Sequence, residues 1–207
     1  RDNYAGVTFN NIPKTDGRTI FMGWMSNWDY ANQVPTLNFR SATTSPRELA
    51  IVHNGEHLIV SSNPVKEMNS LKNRISEIPD LQVDKEATIA ELLKDNDGSY
   101  EIEMSIKPEN AEEFGFSLNN AKNEVLKFNF DNSTGFFSID RKQSGMTDFN
   151  DRFGLGMNAP LGKKDVYRIR LLVDKASAEL FINDGEIAMT TLFFPSEWMN
   201  QLKFYCK

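Results

Sequence analysis

The sequence predicts an all-β protein, and three observations lead there. Apolar residues recur at every second position along most of the chain, the period of a strand with one dry and one wet face. The alternating runs are short and separated by turn residues, the rhythm of a sandwich or barrel. Helical candidates are few: Val65 to Ile75, which begins after Pro64, and Thr88 to Leu92. Neither carries enough periodic positions to anchor a helical domain.

In chain order, Gly6 to Phe9, Thr19 to Trp24 and Leu49 to Val52 read as strands of a small first sheet. The turn-rich run from Asn11 to Gly17 separates the first two. A long polar stretch rich in Trp, Asn and Tyr separates the second and third. A sheet of three or four strands is too small to be stable alone. Between His53 and Pro64 the alternation pauses, and Asn54-Gly55 and Asn63-Pro64 supply turn chemistry. The expected division is therefore a first unit over residues 1–55, a linker over 56–63 and a second unit over 64–207.

The second unit is long enough for a complete antiparallel sandwich. Tyr100, Ile102, Met104 and Ile106 alternate with Glu101, Glu103, Ser105 and Lys107. Leu126, Phe128 and Phe130 alternate with Lys127 and Asn129, and Tyr167, Ile169, Leu171 and Val173 alternate with Arg168 and Arg170. Ala178, Leu180 and Ile182 follow the short connection Asp174 to Ser177, which fits a hairpin. Asn183-Asp184-Gly185 marks a second tight turn, because these residues tolerate positive φ. Phe114 to Leu118, Phe136 to Ile139, Ile187 to Phe193 and Leu202 to Tyr205 are shorter strand candidates.

The 207 residues carry 23 Lys+Arg against 29 Asp+Glu, a formal net charge of -6. No basic stripe is available to replace condensed counterions, so no nucleic-acid partner is expected. No apolar run approaches the ~18–20 residues of a membrane span. The single cysteine, Cys206, excludes an internal disulfide and a cysteine-based zinc cage. The chain starts at Arg1 without a Met, and strand-like sequence follows within ten residues. This reads as a cut into a longer protein, and nothing resembles a signal segment.

Searches for familiar chemistry return little. There is no glycine-rich phosphate loop, no H-E-x-x-H and no G-x-S-x-G elbow. His53 and His57 are four apart, but Asn54-Gly55 breaks the helix that would align them on a metal. They read as solvated loop or edge-strand residues, and no metal or cofactor is expected. Cys206 has no histidine near it in sequence and reads as an ordinary packed thiol. Asp140 and Asp184 read as turn residues rather than as a catalytic pair. The informative segment runs from Gly23 to Thr36, where Trp24, Trp28 and Tyr30 stand among Asn27, Asn32 and Gln33. Indoles stack on the C–H faces of sugar rings, and amides bond directionally to hydroxyls. The same rings could equally plug a sheet edge or a domain interface.

That segment and its flanks resemble a known family. The stretches that carry the likeness are Asp2-Asn3-Tyr4-Ala5-Gly6-Val7-Thr8-Phe9, Asp16 to Trp28, Ala31-Asn32-Gln33-Val34-Pro35-Thr36, Phe39-Arg40-Ser41-Ala42 and Ser45-Pro46-Arg47-Glu48-Leu49. In this order and spacing they look like consecutive motifs of glycoside hydrolase family 32, the β-fructosidases that include invertases, levanases and exo-inulinases. Asp140-Arg141-Lys142-Gln143-Ser144-Gly145 and Ser177 to Gly185 look like motifs of that family's C-terminal sandwich. The likeness covers nearly the whole chain, most loosely over residues 60–100.

The resemblance implies the last blade of a five-bladed β-propeller, followed by a C-terminal antiparallel β-sandwich of the jelly-roll, concanavalin-like type. It also implies a parent that hydrolyses fructan or sucrose by a retaining, two-carboxylate mechanism. The family's nucleophile, transition-state stabiliser and general acid lie on earlier blades, in motifs around N-D-P-N-G, R-D-P and E-C. None occurs here, so the resemblance places no catalytic residue in this chain and implies an inactive fragment.

What it places here is one wall of the sugar pocket: Trp28 first, Trp24 second, with Asn27 in support. The implied partners are a fructan or sucrose-type carbohydrate and the missing N-terminal blades. Self-association through the exposed blade edge follows from an unclosed ring. A fructan-binding sandwich without chemistry is the alternative function, and a purely structural module a third. Polymeric fructans lie outside the cell, which suits a secreted or periplasmic parent.

Overall fold

The computed structural model describes residues 2–55, 57–73, 76–89, 93 and 95–207. Its described residues form fourteen strands in three antiparallel sheets. The first sheet is a meander of β1 (Tyr4–Thr8), β2 (Thr19–Trp24), β3 (Arg47–Asn54) and β4 (His57–Pro64), paired in chain order. The stretch 56–63, expected to be a linker, is thus mostly strand: from Arg47↔Pro64 to Asn54↔His57 it pairs along the whole of β3. Its apolar alternation is poor because Ser62 and Asn63 bond to the neighbouring sandwich instead of filling a core. The Ser62 N–H donates to Gly185 O at 3.0 Å, and the Asn63 amide donates to Asp184 O.

The other two sheets form the sandwich. One has the order β10 (Met157–Pro160), β9 (Phe136–Gln143), β8 (Val125–Asp131), β7 (Glu113–Asn119), β14 (Gln201–Cys206), β5 (Glu86–Ile89). The other has the order β13 (Ile187–Leu192), β12 (Ser177–Ile182), β11 (Tyr167–Asp174), β6 (Tyr100–Ile106). Between them lies a core that includes Phe116, Phe128, Phe137, Leu171 and Leu180, all buried. The predicted alternation sets this core directly: β8 and β11 bury every second residue. The hairpin at Asp174 to Ser177 closes on the Asp174↔Ser177 pair. The next turn holds Asn183, Asp184 and Gly185 all at positive φ.

The helical expectations fare differently. Over Val65 to Ile75 the described part forms only a 3₁₀ turn, Lys66–Leu71; Ile75 lies outside the described residues. Thr88 belongs to strand β5, because it pairs with Lys203, and Leu92 again lies outside the described residues. Asp140, expected in a turn, stands inside β9 beside a bulge in the β8–β9 ladder, where it accepts from the Lys142 N–H. No helix among the described residues is long and apolar enough to cross a membrane.

β12 and β13 break the alternation, with almost every residue buried. Their outer face is covered by the first sheet. Glu179 lies there and accepts from Ser45 N at 2.8 Å, from the Ser45 hydroxyl at 3.1 Å and from Arg47. Arg47 also donates to the Thr190 hydroxyl at 2.6 Å and lies 4.9 Å from the Phe181 ring centre. Gly185 (φ +81°) lets the turn approach β4: a Cβ there would sit 2.5 Å from Ser62 O.

Candidate functional site

The long connection from β2 to β3 carries the predicted aromatic segment. One flank of this loop is anchored. Met25, Tyr30, Val34, Phe153 and Leu192 form a second small core, with Phe149 and Phe194 packed on it. The turn inside the loop is closed by Asn27, whose carbonyl accepts from Tyr30 N at 3.2 Å and Ala31 N at 2.9 Å. The Asn27 side-chain oxygen accepts from the Asp29 N–H at 2.9 Å, so Asn27 first of all builds the loop.

The other flank is open, and it presents a row of rings. Trp28 is 69% exposed and lies 5.0 Å from Trp24, with the planes tilted by 53°. Trp24 in turn meets Tyr4 edge-on at 6.2 Å. A bulge in β1 at Ala5 (φ 47°) brings Tyr4 opposite Trp24. The Trp24 indole N–H donates to the Ser41 hydroxyl at 2.6 Å, which fixes that ring's orientation. The expected residues Trp24, Trp28 and Asn27 are thus neighbours; Tyr4 is the member that sequence reasoning missed.

Against the small core of the packed flank lies a group of charges with no access to water. Asp2 and Arg141 are 0% exposed and Tyr30 is 1% exposed. The Asp2 carboxylate pairs with Arg141, accepts from the Tyr30 hydroxyl and accepts from Leu192 N at 2.8 Å. Arg141 Nε donates to Phe153 O at 2.7 Å, Nη1 to Leu192 O at 3.1 Å and Nη2 to the Tyr30 oxygen at 2.9 Å. The guanidinium lies 3.9 Å from the Phe153 ring centre. Burial, and then the adjacent Asp2 carboxylate, push the Tyr30 hydroxyl above the ordinary tyrosine range. It therefore stays protonated and can donate to Asp2 while accepting from Arg141.

His53 and His57 sit exposed at the end of the β3–β4 hairpin. Among the described residues no group of three or more His, Cys, Asp or Glu is placed to hold a metal. The loop thus presents two tilted indoles and a tyrosine ring on its open flank, with a packed core on the other.

The sequence matches two family profiles. "Glycosyl hydrolases family 32 C terminal" covers residues 67–207 and "Glycosyl hydrolases family 32 N-terminal domain" covers residues 1–62. A levanase from Bacillus subtilis (strain 168) is 37% identical over 212 residues, which is 99% of this chain and 31% of the levanase. An extracellular exo-inulinase from Aspergillus awamori is 26% identical over 202 residues, 94% of this chain and 37% of that protein. The crystal structure of exo-inulinase from Aspergillus awamori shares the fold, with a TM-score of 0.84 at 23% identity over 100% of this chain and 40% of that one. A fructofuranosidase from Schwanniomyces occidentalis complexed with fructose gives a TM-score of 0.68 at 25% identity, over 100% of this chain and 45% of that one. The chain spans less than half the length of each of these relatives.

Proposed function

The chain belongs to glycoside hydrolase family 32, and from that premise we propose that it supplies the last propeller blade and the sandwich of a β-fructosidase acting on fructan or sucrose. In this reading the sheet β1–β4 is the blade, and residues from Val65 onward are the sandwich domain. The attacking carboxylate and the general acid come from blades outside this chain, and the whole protein works by the retaining route. This chain contributes an aromatic wall to the fructosyl pocket, with Trp28 as the main face, Trp24 beside it and Asn27 shaping the turn.

One observation carries the reading. Trp28 is 69% exposed on a loop whose opposite flank is fully packed. An exposed indole beside a second indole, on a loop whose other flank is packed, offers a held apolar face on which a sugar ring can stack.

The test has two arms. Incubated with sucrose, levan or inulin, these 207 residues alone release no fructose; robust turnover overturns the reading. In calorimetry with fructan oligosaccharides, Trp28→Ala weakens binding by about tenfold, equivalent to about 1.4 kcal/mol. Binding that survives this substitution unchanged points instead to a carbohydrate-binding sandwich, where the partly exposed Trp198 is the ring to replace next.

A further inference from the structure

We infer that Arg141, a residue of the sandwich, is a positioning residue for the aromatic row of the blade, so that the sandwich sets the blade's affinity for sugar. This rests on the reading of Trp28 as a sugar face. The two ends of the row are Tyr4 and Trp28. Arg141's two partners in the blade are Asp2 and Tyr30, each two residues from one end of the row. Tyr30 N also closes the turn on Asn27 O, the turn that carries Trp28. One guanidinium therefore anchors both ends at once.

Stability alone does not account for such a group, because a buried ion pair can be replaced by apolar residues of similar volume without loss. What the guanidinium adds is direction. Its N–H groups lie in one rigid plane, and here they reach four separate stretches of chain: Asp2, Tyr30, and the Phe153 and Leu192 carbonyls. A second tie has the same sense: Asn150 Nδ2 donates to Asp29 O at 3.0 Å, and Arg152 pairs with Asp29 at 3.2 Å. Both ties run from the sandwich to the turn bearing Trp28.

The test uses the optical coupling of Trp24 and Trp28, whose rings at 5.0 Å and 53° give an exciton couplet in circular dichroism. Trp28→Ala sets the zero. In Tyr30→Phe, which keeps the ring and removes only the hydroxyl, the couplet falls by about half or more, because transition-dipole coupling depends steeply on the separation and tilt that the close aromatic pair holds. Arg141→Met loses it, and Arg141→Lys does not restore it because an ammonium cannot span four stretches. A merely structural role would lower the unfolding midpoint but leave the couplet of the folded protein intact. If Arg141→Met does not fold, Tyr30→Phe decides alone. A full couplet in folded Tyr30→Phe overturns the proposal. A lost couplet with weakened binding of inulin oligosaccharides supports it. A lost couplet with unchanged binding supports the positioning by Arg141 but overturns Trp28 as the sugar face.

Discussion

Single side chains already fix how this protein responds to acid. Asp131 accepts from the Ser133 hydroxyl at 2.6 Å, from Ser133 N at 2.9 Å and from Thr134 N at 3.0 Å. These bonds hold its carboxyl at about 2. Asp16, hydrogen-bonded to Arg18, is also held at about 2, and the same Arg18 holds Glu67 below the usual range. Burial pushes Glu124 upward, but bonds from Asn120 and Ser196 outweigh it. All four are depressed relative to the unfolded chain, so each contributes stability above about pH 4 and loses it as pH falls through its own lowered value, which for Asp131 and Asp16 is about 2. The urea midpoint should therefore be flat from pH 7 to about 5 and drop below about 4. Asp131→Asn should be less stable at neutral pH and show a shallower acid decline; an unchanged slope contradicts this account. Trp24 and Trp28 were legible as candidates because two indoles in a polar loop are conspicuous by composition. Asp2 and Arg141 were not, because the burial of a charge depends on a partner 139 positions away.

At the scale of elements, pairing register decides which residues share a face, and docking decides whether that face is wet. Glu179 alternates with Leu180 in β12 as a solvent-facing residue would, yet it is buried against Arg47 of β3. Removing one partner of such a pair leaves an uncompensated charge, at a cost of about 3–5 kcal/mol. Arg47→Met and Glu179→Leu should each lower stability by roughly that amount, while the double variant should recover much of the loss. Additive losses in urea unfolding would show that the pair is not coupled. The misread β4 belongs to the same scale. Its serines and asparagine make hydrogen bonds to the turn at Asp184 and Gly185, a use that hydrophobic periodicity does not register.

On the scale of the whole molecule, the first sheet carries exposed apolar residues on both faces. Val7 shares one face with Met22, while Ile51 and Val60 oppose each other on the other; Val7, Ile51 and Val60 are all more than half exposed. A sheet apolar on both sides suits stacking between neighbouring blades, and among the described residues β1 leaves its outer edge without a partner strand. The isolated chain should therefore self-associate, with light-scattering mass rising with concentration. The double variant Val7→Lys, Ile51→Lys should be monodisperse. A clean monomer for the unaltered chain would show that this surface tolerates water.

By itself, the sequence determined the all-β class, most strands of the sandwich, its two tight turns and the family motifs, while it missed β10 and gave a helical reading to Thr88 in β5. Those features are written in period, spacing and local turn chemistry, which act over a few residues. Only the tertiary structure decided that residues 57–64 form a strand, that Tyr4 joins Trp24 and Trp28, and that Asp2, Tyr30 and Arg141 meet in one buried group. A side chain's local pattern fixes its face, whereas its burial and its partners depend on which surface docks there.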